Sequence, residues 1–349
     1  NQMLTKQRWT VVVLILCICL IATACRDSQE NSIEVMEEYE NKEKIVDSME
    51  DPKVPSPISG ILTEEKNIER RPIAVMLDNQ SKARPQAGLD QAEVIYEILT
   101  EGWITRYMAI FLINEPELIG PVRSARPYFI DKAMEFDALY VHDGGSPQSL
   151  ADISDFKIAD ISAQSRDKRI FWRENHKPRP HNEYTSASAI RMAAAESRYR
   201  ERGEFEHWKF NKKDLPIQGS ALSHLEIPYH QTYVPSFRYA QEKNLYYRYI
   251  NDSPHVDEVS QEHLFAKNII IQYAETKIID SEGRREIRLV GKGEGLFISG
   301  GEMKPIQWEK ENRRALTRFY DINGKEISLN PGITWIEVVP KNFQITTVP

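Results

Sequence analysis

The stretch Pro72-Ile73-Ala74-Val75-Met76-Leu77-Asp78-Asn79 decides how the chain is read. Its apolar run is continuous and too short for an ordinary helix. It reads as a strand buried on both faces, and the polar Asp78 and Asn79 mark its exit. Outward from it, Ser81 to Gly88 is a loop carrying Lys82, Arg84 and Pro85. Val94 to Leu99 and Tyr107 to Ile113 are expected strands. Pro127 to Phe136 reads as a helix and Ala138 to Val141 as a strand. A turn at Asp143-Gly144-Gly145 leads to a helix over Pro147 to Ile153, with Ser146 as its N-cap. Thr185 to Arg202 carries the clearest helical signal. Strands mixed with helices predict an α/β or α+β domain over residues 59–203.

The pattern changes after Gly203. Pro216, Gly219, Pro228 and Pro235 punctuate a linking region, residues 204–235. Residues 236–349 are expected to form a mostly-β domain, a small sandwich or curled sheet. Its strands are Tyr246 to Ile250, Asn268 to Tyr273, Glu286 to Val290, Gly295 to Ile298, Ala315 to Tyr320 and Thr334 to Val339. Glu262 to Ala266 reads as a short helical turn. Gly291-Lys292-Gly293-Glu294-Gly295 lacks the Lys-Ser/Thr ending of a phosphate loop and reads as a hairpin turn. Trp308 and Trp335, beside alternating apolar residues, are expected in the core.

The first residues have the layout of a lipoprotein signal peptide, residues 1–24. Lys6 and Arg8 precede an apolar run from Val11 to Ile21, which is shorter than a bilayer-spanning helix. Ala22, Thr23 and Ala24 then lead to Cys25, the expected lipidation site. A plain signal peptide and an uncleaved membrane helix are the competing readings. All three cysteines lie at or before position 25, so neither disulfides nor thiolate metal sites are expected in the body.

The net charge of −7 is concentrated in one place. Residues 26–58 carry ten acids against four bases, and the body after them is only −3. Residues 25–58 therefore read as the lipidated cysteine and an acidic, flexible tether spanning about 30 Å. No broad basic stripe with interleaved aromatics occurs, so nucleic acid is not the expected ligand. No metal or cofactor is expected.

One set of polar residues stands out. Arg123 and Arg126 lie three residues apart, His142 and Ser146 flank a strand-to-helix turn, and Trp172 adjoins Arg173. His181, Asn182 and Tyr184 precede the long helix. Together with Asp78 they form the candidate ligand site. The arginines would grip a carboxylate or phosphate, Trp172 and Tyr184 would offer a stacking face, and the histidines would bind or carry protons. The alternative for each is structural. Arg123 and Arg126 would pair with Asp78, Glu97 or Glu101, Asn182 would cap a helix, and His181 would bond a loop carbonyl.

These motifs resemble the YerB family, lipoproteins of Gram-positive bacteria also known as the DUF3048 family. The resemblance rests on residues 71–79, 83–86, 94–97, 104–106, 120–126, 142–147, 171–173 and 180–182, and on 328–332 and 334–336 in the second domain. It implies a lipid anchor, an envelope location and two domains in this order; it does not imply an activity. The leading expectation is a membrane-anchored extracytoplasmic lipoprotein that binds an anionic or saccharide envelope ligand. A hydrolase or transferase acting on wall polymers through His142, His181 and Asp78 is the second reading. A protein-interaction scaffold is the third, with its partner unidentified.

Overall fold

The computed structural model describes residues 52–349. Cys25, the leader and most of the acidic tether lie outside the described residues. Val54 to Pro349 pack as one compact unit.

The opening stretch forms β1 (Ile73–Asp78), with every residue buried. It lies inside a twelve-stranded sheet that runs through both halves of the body. The first half supplies β1, β2 (Val94–Leu99), β3 (Thr105–Phe111), β4 (Leu139–His142) and β5 (Asp160–Ser162). The second half supplies β6 (Asn268–Ile278), β7 (Gly291–Ser299), β8 (Glu302–Lys310) and β9 (Thr334–Pro340). The join is made late in the chain: β9 pairs parallel with β6 on one side and with β2 on the other. Its register sets Glu337 opposite Glu97 and Ile336 opposite Tyr96. Beyond β2 the order is β3, β1, β4, β5. β3 is antiparallel to β1, and β4 and β5 run parallel to it. Side chains alternate across the strands, so the sheet carries two cores. Leu77, Ile95, Tyr107 and Trp335 lie in one, and Met76, Tyr96, Met108 and Ile336 in the other.

The first core is closed by a six-stranded sheet that includes Pro235–Ala240 and Leu245–Ile250. Phe237 and Tyr107 meet the Trp335 ring at centroid distances of 5.9 and 5.7 Å. The second core is covered by α1 (Pro127–Met134), whose Phe129, Ile130 and Ala133 are buried there. α2 (Pro147–Asp155) packs beside α1. Ser146 caps α2 by accepting the Ser149 N–H at 3.3 Å. α3 (Ala187–Glu196) is shorter than its alanine-rich sequence suggests. Ser186 caps its start, and Arg198 beyond its end adopts a left-handed φ of 58°.

Several boundaries differ from expectation for identifiable reasons. The body begins before residue 59: Ser56 and Ile58 are buried, and the Ser56 and Ser59 hydroxyls both donate to the Glu93 carboxylate. The linking region, residues 204–235, is built into the body. Trp208 is buried, Lys209–Phe210 pairs with Ser328–Leu329, and Leu225 and Ile227 join the first core. Residues 262–266 form no helix; Phe265–Ala266 pairs with Tyr246–Tyr247. The glycine-dense 291–295 segment is strand, and the hairpin turns instead at Gly300 and Gly301, both with positive φ. A Cβ at Gly293 would stand 2.5 Å from the Trp308 indole, so the missing side chain makes room for that ring. Glu302–Lys310 follows as a strand that sequence patterning missed, because Pro305 interrupts it. Trp308 and Trp335 are core, as expected.

Candidate binding cleft

The carboxyl ends of β1, β4 and β5 carry Asp78, His142 and Ser162, the end of a sheet where α/β proteins place ligands. Asp78 gathers two of the expected partners. Its Oδ2 accepts from His181 Nδ1 at 2.7 Å and faces Arg123 Nε at 3.4 Å, while Oδ1 accepts the Gln80 N–H. The His181 ring is held through Nδ1, and Nε2 makes no hydrogen bond among the described residues.

The remaining expected residues disperse. Arg126 donates to Glu101 Oε1 at 2.5 Å and lines a separate 580 Å³ cavity with Ser146. Arg173 pairs with Glu183 and donates to Asn182 Oδ1. Asn182 donates onward to the Glu174 carbonyl and caps no helix. His142 is buried, bonded to the Gly144 carbonyl and stacked on Tyr140. Trp172 donates to Glu174. Tyr184 is buried, donating to Glu258 and accepting from Lys177, so it offers no stacking face. Arg123, Arg126 and Arg173 each face a carboxylate and do not form one cationic grip. The charge of an arginine so paired is already partly answered, which weakens its pull on a ligand anion.

A different arginine meets the description. Arg84 belongs to the loop after β1, where Gln86 ties the turn by donating to the Asp78 carbonyl at 2.9 Å. Its side chain makes no ion pair or hydrogen bond among the described residues, and its buried Nε has no partner. The guanidinium instead lies 5.1 Å from the centre of the Tyr233 ring. It lines a cleft of about 440 Å³ to which both halves contribute. Asn79, Gln80 and Ser81 come from the same loop, and Trp103, Ile104 and Thr105 from the turn before and the start of β3. His230, Thr232 and Tyr233 come from the second half. No carboxylate lines it. Burial first, then the positive fields of Arg248 and Arg84, hold His255 nearby well below its ordinary pKa.

Beneath the cleft lies a fully buried ionic triad. Arg248 donates to Glu97 and, at 2.9 Å, to Glu337. Three cleft residues reach the same Glu97 Oε1: Thr105 and Tyr233 donate at 2.6 Å, and Asn79 at 3.3 Å. Tyr229 donates to Glu337 at 2.9 Å. Two carboxyls share one guanidinium. Burial first, then the charge of Glu97, raises Glu337 well above the usual carboxyl range, with Arg248 opposing. The carboxyls of this floor take up the cleft-wall donors Thr105, Tyr233 and Asn79, which ties the cleft walls to the strands below.

Sequence reading missed Arg84, Trp103 and Tyr233. Arg84 stood in a recognised loop and a family motif, but the groups that single it out come from the distant second half.

The frame is an α/β first half and a mostly-β second half on one sheet, with a carboxylate-free cleft where they meet. Residues 58–200 match the N-terminal domain, and residues 225–336 the C-terminal domain, of the family described as protein of unknown function DUF3048. The chain is 34% identical to "Putative lipoprotein YerB" of Bacillus subtilis strain 168, over 82% of this chain and 87% of that protein. The crystal structure of YerB protein from Bacillus subtilis superposes with a TM-score of 0.77 at 33% identity, covering 84% of this chain and all of that one. The chain belongs to the DUF3048 family.

Proposed function

We propose that this chain is a lipid-anchored binding protein of the extracytoplasmic cell envelope that holds an anionic ligand in the Arg84 cleft. The observation that carries the reading is a guanidinium without a carboxylate partner in a concave site that has no acid of its own. A planar forked donor in such a place is suited to a carboxylate or phosphate. The anchor is supported by the leader pattern ending at Cys25 and by the lipoprotein name of the relative. No helix of the described residues is long and apolar enough to cross a membrane.

Titration with anionic wall-derived fragments tests the site. Binding by the full chain that Arg84→Ala weakens at least about 10-fold is expected; affinity unchanged by the substitution contradicts it. Metabolic labelling with a radioactive fatty acid tests the anchor: label should be lost in Cys25→Ser, and its persistence would remove Cys25 from the account.

One observation favours a second reading, a hydrolase or transferase of wall polymers. His181 is oriented by Asp78 and leaves Nε2 unengaged, the arrangement of a general base. Release of soluble fragments from purified walls, lost in His181→Ala, would establish it; no release by the wild type would remove it.

A further inference from the structure

The cleft contains more than an anion site requires. Trp103 lines it and is 53% exposed, so part of its ring is open to the cleft. The ring is nonetheless fixed. The Arg285 guanidinium lies over it at 5.3 Å and is itself held by the carbonyls of Thr100 and Gly102. The rim between Trp103 and Arg84 carries neutral hydrogen-bonding groups. The Gln80 amide and the Ser81 hydroxyl have no partner among the described residues, and Thr232 is exposed beside His230. The volume of 440 Å³ falls in the about 300–1,000 Å³ range of small-molecule sites, far beyond a bare anion.

A braced aromatic face, neutral amides and hydroxyls, and one cation describe a ligand with three parts. It has a flat apolar face, several hydroxyls and a single negative group. A pyranose ring presents its axial C–H face to an indole and its hydroxyls to amide and hydroxyl side chains. A nucleotide fits less well, because no carboxylate lines the cleft for ribose hydroxyls and one arginine serves its phosphates. We infer that the cleft binds an acidic saccharide, a sugar ring bearing a carboxylate or phosphate, with Arg84 on the acid and Trp103 under the ring. This inference rests on the anion reading of the Arg84 cleft given above.

The test is calorimetric titration of the full chain in detergent with D-glucuronate, acetate, glucose 6-phosphate, inorganic phosphate and glucose. Each sugar acid should bind tighter than its matching simple anion, by about three- to tenfold if the ring stacks as aromatic partners do. The carboxylate and phosphate arms identify the acidic group. Arg84→Ala should weaken both sugar acids. Trp103→Ala should close the gap between sugar acid and simple anion, and Trp103→Phe should restore part of it. Equal affinity for glucuronate and acetate, and for the two phosphates, would overturn the saccharide inference and leave the anion reading standing. Failure of every anion to bind would overturn both. A short peptide carboxylate binding tighter than either sugar acid would assign the cleft to peptides and overturn the inference.

Discussion

Tyr233 stands between two arginines with opposite surroundings. On its hydroxyl side, Arg248 is fully buried and held by two carboxylates. Over its ring, Arg84 has no carboxylate and opens on the cleft. The first arginine is structural because its charge is already answered. The second is available because nothing in the body answers it. The arginines that looked functional in sequence, Arg123, Arg126 and Arg173, sit with the first kind. Residue type alone does not separate the two kinds of arginine; their surroundings do.

Breaking the saturated side should have the largest effect. Arg248→Met leaves Glu97 and Glu337 buried without a cation and should cost about 3–5 kcal/mol in denaturant unfolding. Replacing all three with apolar residues of similar size should recover most of that loss; no recovery would mean that Arg248 matters through packing.

On the open side the result should invert. Arg84→Ala should cost no more than about 1 kcal/mol of stability, the scale of the Tyr233 stack it removes. Anion affinity should fall about 10- to 100-fold, the scale of a charged hydrogen bond. A loss of stability comparable to Arg248→Met would erase the distinction between the two arginines.

Tyr233→Phe sharpens the boundary between them. It removes the hydroxyl that donates to Glu97 but keeps the ring below Arg84. A cost of about 1–2 kcal/mol in stability, exceeding its effect on anion affinity, is expected.

In pH dependence the two sheet faces differ in sign. Glu337 has a folded pKa above its unfolded value, so its contribution is present at low pH and lost as pH rises above the ordinary carboxyl range. Glu337→Gln should flatten that decline, seen in unfolding midpoints between about pH 5 and 8. The other face holds the converse triad, Glu135 between Lys132 and Lys310, all fully buried. Burial would raise Glu135, but the two lysines outweigh it and hold it low. Burial lowers Lys132 to about 8, with Glu135 opposing. The unfolded state then binds more protons above that pH, so stability should rise from about pH 8 toward the ordinary lysine range, and Lys132→Met should remove the rise.

Local pattern made much of the fold legible. The apolar runs at 73–77 and 94–99 and the Ser146 cap appear where their sequences place them. Position in the sheet was not legible. β9 reads as an ordinary strand, and only the folded chain shows it between β2 and β6, joining the halves. The same long-range pairing hid the cleft. Asp78 and His181 were both suspected, and the structure brings them to one hydrogen bond. Arg84 was passed over because its isolation depends on which acids are absent around it, a property that spacing along a chain does not encode.

The most direct test is titration of inorganic phosphate into the full chain and into Arg84→Ala, Arg123→Ala and Arg173→Ala. Arg84→Ala should weaken phosphate binding about 10- to 100-fold while the other two retain it. Unchanged affinity in Arg84→Ala, with loss in Arg123→Ala or Arg173→Ala, would contradict this expectation and return the site to the carboxylate-paired arginines.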